Sequence, residues 1–162
     1  MLTTSERFLV VLTTCGVRGT ACVGAEPGTG VEMQDIEADN AFVQALVACD
    51  PAVQEARAFN ETYPSTVTNA QDVCAWPDRA EPVFTRMHNC LKALPQPNDS
   101  NLKAARADLL EAGIAYDKVI DLMRHFCSDE ASPAEISGWA KKASTAFDSA
   151  MAHMAAYNLS IE

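Results

Sequence analysis

The stretch Leu102–Cys127, LKAARADLLEAGIAYDKVIDLMRHFC, decides the fold class. Its apolar positions Leu102, Ala105, Leu109, Gly113, Tyr116, Ile120, Met123 and Cys127 recur every three or four residues over about seven turns. Such spacing places one continuous stripe on a helix of 3.6 residues per turn, and a helix with one apolar stripe must bury it against another element. At 1.5 Å per residue a helix of about 26 residues is roughly 39 Å long.

Downstream, Ser132-Pro133-Ala134-Glu135 announces a second helix. Ser132 is placed to cap it, Pro133 falls at the first helical position, and Glu135 completes a capping box three residues on. The stripe that follows is Ile136, Trp139, Ala143, Phe147, Ala150, Met154 and Tyr157.

Upstream, Val83, Met87, Cys90 and Leu94 define a shorter helix that Pro95-Gln96-Pro97-Asn98 ends. Before it, 63–77 is rich in Thr, Pro, Asn and Asp and is expected to be a loop carrying Cys74 and Trp76, with the indole covering a disulfide or meeting a partner. Phe42, Leu46, Cys49, Val53 and Ala56 form one more stripe, which keeps its phase across Asp50-Pro51. Proline lacks the N–H of an interior helical residue, so this segment is either one kinked helix or two, with Asp50 capping the second. Period-two alternation, the mark of a half-buried strand, is absent. The expected fold is therefore all-α, a small antiparallel bundle of four to five helices whose short connections make successive helices neighbours. Alanines scattered through the stripes favour helix and let helices approach closely.

The chain has 162 residues, 48% of them hydrophobic and 21% charged, which is the composition of one globular domain. Residues 1–25 stand apart. Arg7, the apolar run 8–17 (FLVVLTTCGV) and the small residues Val23-Gly24-Ala25 have the order of a cleavable signal peptide. The run is too short to span a bilayer, which takes about 20 residues. Segment 26–34, EPGTGVEMQ, has no periodicity and reads as a flexible acidic arm ahead of a single helical domain, 35–162. Its acidic residues and their neighbours, Glu32, Asp35, Glu37 and Asp39, are expected to act as a solvated tail.

Export brings an oxidising exterior, where an even number of cysteines in a small domain forms disulfides. Cys15 and Cys22 fall in 1–25, leaving Cys49, Cys74, Cys90 and Cys127. The close spacings of zinc sites do not occur among them, so no metal is expected. Cys49, Cys90 and Cys127 share the apolar stripes and are expected to face the core. Cys90 precedes the start of the long helix and Cys127 ends it, so the two lie at opposite ends of the bundle, beyond the roughly 7 Å reach of a bridge. Two pairings remain. Cys49–Cys90 with Cys74–Cys127 is preferred, because the segment containing Cys74 lies at the Cys127 end; Cys49–Cys127 with Cys74–Cys90 is the alternative. Three sequons, at Asn60, Asn98 and Asn158, each fall at a helix end or in a connection and fit an exported glycoprotein.

Of 12 basic and 22 acidic residues, Arg7, Arg18 and Glu6 belong to 1–25, which leaves a net charge of −11. A surface that acidic repels nucleic acid and anionic membranes. No pattern specifies a cofactor or a complete catalytic set. Asp121 and His125 share a helical face, with Asp129 nearby, so an enzymatic alternative would be a secreted hydrolase using His125 with Asp121 or Asp129. Ser149 and His153 share a face too, but without a third member. Flexible thioethers and rings on the stripes, namely Met87, Tyr116, Met123, Trp139, Phe147, Met151 and Met154, are candidates to line a pocket for a small apolar ligand. The expected function is that of a secreted, non-enzymatic binding glycoprotein, either a carrier of such a ligand or a factor that engages an extracellular protein.

Overall fold

A computed structural model of the chain describes residues 30–62, 70–128 and 131–160. The proposed signal segment 1–25 and Asp129 lie outside them. Five helices follow in chain order: α1 Gly30–Thr62, α2 Ala70–Cys74, α3 Trp76–Lys92, α4 Ser100–Phe126 and α5 Pro133–Ser160. No strand occurs among the described residues, and the all-α expectation holds.

Residue numbers fall on one helix as they rise on its neighbour, so the arrangement is antiparallel. Along α1 and α3, Cys49 meets Cys90, Glu55 meets Arg86 and Phe59 meets Phe84. Along α3 and α4, Glu81 meets Arg124 and His88 meets Asp117. The main contacts run α1 with α3, α3 with α4, and α4 with α5, the last being the most extensive. Both α4 and α5 bury alanines, Ala105, Ala112 and Ala115 on one and Ala143, Ala146 and Ala150 on the other. Such small side chains let the two backbones come close.

The expected stripes are the buried faces. Phe42, Leu46, Cys49 and Ala56 of α1 are buried, as are Leu102, Ala105, Leu109 and Ile120 of α4. Helix α1 continues without a break through Pro51, which settles the open question there in favour of one helix. It also begins at Gly30, so the part of 26–34 from Gly30 onward is helical rather than a structureless arm.

The expected loop 63–77 needs correction at its end. Cys74 closes the five-residue α2 and Trp76 opens α3, with Pro77 in its first turn, where the missing N–H costs no hydrogen bond. Helix wins because Trp76 is pulled into the core, 8% exposed, between Phe59 and Phe84 at ring distances of 6.2 and 6.3 Å. Its indole is therefore part of an aromatic cluster, not an exposed contact.

Two disulfides staple the bundle in the preferred pairing, Cys49–Cys90 and Cys74–Cys127, each with a Cα separation of 5.7 Å. One detail differs from the sequence reading. Cys49 is buried and Cys90 half-buried, but Cys127 is exposed, because α4 ends at Phe126 and the cysteine follows at its C-cap, at the rim of the bundle.

Side chains cap the N-termini of α4 and α5. Ser132 and Glu135 form the expected capping box, with the Glu135 amide donating to Ser132 Oγ at 3.2 Å and the Ser132 amide to Glu135 Oε2 at 3.0 Å. Asp99 caps α4, its carboxylate accepting from the amides of Asn101 and Leu102. Asp39 of α1 reaches the same corner: its Oδ1 accepts from the amides of Asn98 at 2.6 Å and Asp99 at 2.9 Å. Asp39 is 9% exposed, so this residue of the acidic cluster is a structural tether rather than part of a solvated tail. Among the described residues no helix is long and apolar enough to cross a membrane.

Candidate functional site

The chain of contacts from α1 through α3 and α4 to α5 leaves the first and last helices facing each other across an open seam. A groove of about 320 Å³ occupies it. Its α1 wall is Val53, Gln54, Ala56, Arg57, Asn60 and Glu61. Phe84 and Met87 of α3 and Tyr116 of α4 supply the floor, and Ser144, Phe147, Asp148 and Met151 of α5 the opposite wall. Residues 53, 56, 57, 60 and 61 recur at helical spacing, as do 144, 147, 148 and 151, so each wall is one face of one helix.

Aromatic packing holds the floor flat. Phe84 stacks on Tyr116 at 4.6 Å between centroids with a 28° tilt, and Tyr116 meets Phe147 at 6.2 Å. Phe84 is itself backed by Trp76 and Phe59. Offset and tilted pairs at these distances are favourable beyond the area they bury. The Asn60 side chain hydrogen-bonds the Tyr116 phenol, and burial pushes that phenol above its ordinary value despite the opposing influence of Asn60. Tyr116 therefore offers a neutral hydroxyl and a ring face to the groove at neutral pH.

The lips are polar. Arg57 Nε donates to Glu61 Oε1 at 2.7 Å, one turn along α1. Across the groove Asp148 is exposed and makes no ion pair among the described residues. Among the described residues the site thus combines an apolar aromatic floor with one engaged cation and two carboxylates at its edges.

Four of the seven residues singled out from the sequence, Met87, Tyr116, Phe147 and Met151, meet in this groove. Met123, Trp139 and Met154 do not line it. Met154 is 2% exposed within the core, and Met123 and Trp139 pack half-buried against the core, with the Trp139 ring lying 4.9 Å from the Lys142 ammonium. Phe84, Val53, Ala56 and the polar lip escaped the sequence reading.

The histidines are placed as follows. His125 Nδ1 donates to the Asp121 carbonyl at 2.8 Å, while the Asp121 carboxylate accepts from Lys118 at 2.6 Å and lies 3.5 Å from the imidazole. The Lys118 hydrogen bond holds the Asp121 carboxyl below the usual range. The ring is exposed near the end of α4, bound to its own helix. His153 faces Asp108 of α4 at 3.7 Å, and His88 pairs with Asp117. No group of three or more His, Cys, Asp or Glu side chains among the described residues is arranged to hold a metal ion.

Of the sequon asparagines, Asn98 is exposed in the α3–α4 connection, whereas Asn60 and Asn158 are half-buried on helices. The chain matches no family model, no curated protein and no solved structure.

Proposed function

We propose that this chain is a secreted carrier protein that holds a small apolar ligand in the groove between α1 and α5. One observation carries the reading. Phe84, Met87, Tyr116, Phe147 and Met151, drawn from three helices, converge on one open concavity of about 320 Å³ beside the core. Ligand sites of this kind are concave, mostly apolar and rimmed by a few polar groups, with volumes from roughly 300 Å³ upward. Thioethers at two of the positions give a surface that adapts its shape.

Export is part of the proposal. It rests on the order of residues 1–25, on the three sequons and on two disulfides, which persist outside the reducing cytosol. Of the sequons, Asn98 is the accessible acceptor for a glycan on the folded domain. The staples serve a carrier directly, because a bundle left open along one seam loses part of the burial that would otherwise hold it together.

The test is titration of the secreted protein with N-phenyl-1-naphthylamine, an uncharged probe that fluoresces in apolar surroundings, beside a Ser144→Trp variant. Ser144 is exposed on the groove lip, so an indole there obstructs the entrance without disturbing the core. Saturable binding that weakens at least tenfold in the variant is expected. Absence of binding, or equal binding by both proteins, would overturn the proposal.

A further inference from the structure

We infer that the groove selects a cationic amphiphile, a small aromatic or branched apolar body bearing an ammonium group, over an anionic one such as a fatty acid. This rests on the carrier reading above and narrows it to a ligand class.

Charge at the lips gives the first argument. Beside the neutral Gln54, Asn60 and Ser144, the described lining carries three charged groups, Arg57, Glu61 and Asp148. Among the described residues Arg57 is the only cation in the lining, and its Nε already donates to Glu61 at 2.7 Å. A ligand carboxylate could take only the guanidinium N–H groups that Glu61 leaves unused, and would do so in a groove that also carries the carboxylates of Glu61 and Asp148. An ammonium meets the opposite situation. Asp148 has no ion-pair partner among the described residues, and Glu61 retains unused acceptor capacity, since a carboxylate has about four lone-pair sites.

The floor gives the second. Tyr116 and Phe147 line the groove beneath those carboxylates, and an aromatic face attracts a cation through its quadrupole. Aromatic faces below and carboxylates above form the complement of an organic ammonium. They offer nothing comparable to an anion.

Size and long-range field agree. A groove of about 320 Å³ lies at the lower end of the range for small-ligand sites, which suits one or two rings with a short chain. The net charge of −11 without residues 1–25 draws cations to the surface and repels anions before any contact forms.

The experiment compares three probes that share one apolar body: 2-(1-naphthyl)ethylamine, 2-(1-naphthyl)ethanol and 3-(1-naphthyl)propanoate. Binding to the full secreted protein is followed by calorimetry at pH 7 and low salt. The amine is expected to bind about tenfold more tightly than the acid, with the alcohol between them, as two partly exposed charge contacts of opposite sign would give. Asp148→Asn should cut the amine's advantage over the alcohol by about threefold. Glu61→Gln, which frees Arg57, should improve the acid relative to the alcohol. Equal or tighter binding of the acid by the unaltered protein overturns this inference while leaving the carrier reading intact. Failure of all three probes to bind overturns both.

Discussion

Gly113 lies where α4 passes beside α3, and a methyl group there has no room. A Cβ at this position would stand 2.6 Å from His88 Cδ2, 3.0 Å from Cγ and 3.3 Å from Nε2. Those atoms run from the root of the imidazole to its tip, so turning the outer edge does not clear them. The ring is also held by its Nδ1 on Asp117, with only 12% of the side chain exposed. Two effects compete in Gly113→Ala. Alanine is the better helix former by about 1 kcal/mol. Against that, forcing a methyl into a packed site costs about 1–3 kcal/mol, and displacing the ring gives up its hydrogen bond with Asp117, contributing about 1 kcal/mol. The balance is a net loss of about 1–2 kcal/mol. For a domain of this size it lowers Tm by roughly 3–6 °C, read by circular dichroism and checked by urea unfolding. The decisive comparison is the same substitution in a His88→Ala background, where the obstruction is gone and only the propensity gain remains. There Gly113→Ala should stabilise by about 1 kcal/mol, a reversal of sign. Stabilisation in the unaltered protein, or an equal loss in both backgrounds, would refute the reasoning.

Two other substitutions test the helix ends. Asp39→Ala leaves the amides of Asn98 and Asp99 without their acceptor, and urea unfolding should show a loss of about 1–3 kcal/mol. Asp39→Asn keeps an oxygen in place and should lose less than half as much; equal losses would show that the acceptor is not what matters. Hydrogen bonds from the Ser132 amide and hydroxyl hold the Glu135 carboxyl below its ordinary value. A lowered folded value means that the contribution is complete above the unfolded range near 4.3 and disappears as pH falls through the folded value. The Tm gap between the unaltered protein and Glu135→Gln should therefore be widest at about pH 6–7 and close on acidification below about 4. A gap that widened in acid would contradict the sign.

Local information in the sequence was sufficient for much of the fold. Leu102 to Ile120 could be read because a long amphipathic stripe has one stable solution, and Ser132-Pro133-Ala134-Glu135 because a capping box is written in four consecutive residues. Helix length reduced the disulfide pairings to two, and the placement of the Cys74 segment at the Cys127 end favoured the one observed. Trp76 was misplaced because Thr, Pro and Asn around it signal a loop, while its burial depends on Phe59 and Phe84, which are remote in sequence. Asp39 likewise shows nothing locally of its bond to the Asn98 and Asp99 amides. The groove was half legible. Met87, Tyr116, Phe147 and Met151 stand out as large groups on stripes, yet Met123, Trp139 and Met154 stand out equally and lie elsewhere. Periodicity marks which face of a helix is apolar. It does not say which two faces of neighbouring helices stay apart, and here that separation of α1 from α5 makes the site.

The position of Pro51 has a mechanical consequence. The Cys49–Cys90 bond fastens α1 to α3 partway along its length, and two residues later proline removes the hydrogen bond that an N–H at position 51 would give the Val47 carbonyl. Val47 lies on the outward side, 47% exposed, so water can serve that carbonyl. Beyond this point Ala52–Thr62, about 16 Å of helix at 1.5 Å per residue, carries the whole α1 wall of the groove. It is clamped covalently at its base and lacks one backbone hydrogen bond just above the clamp, while Glu55 on Arg86 and Phe59 on Phe84 hold it against α3 farther along. In the proposed carrier, widening the seam by tilting this arm would cost those two contacts and leave the clamped base and the α4–α5 pair assembled.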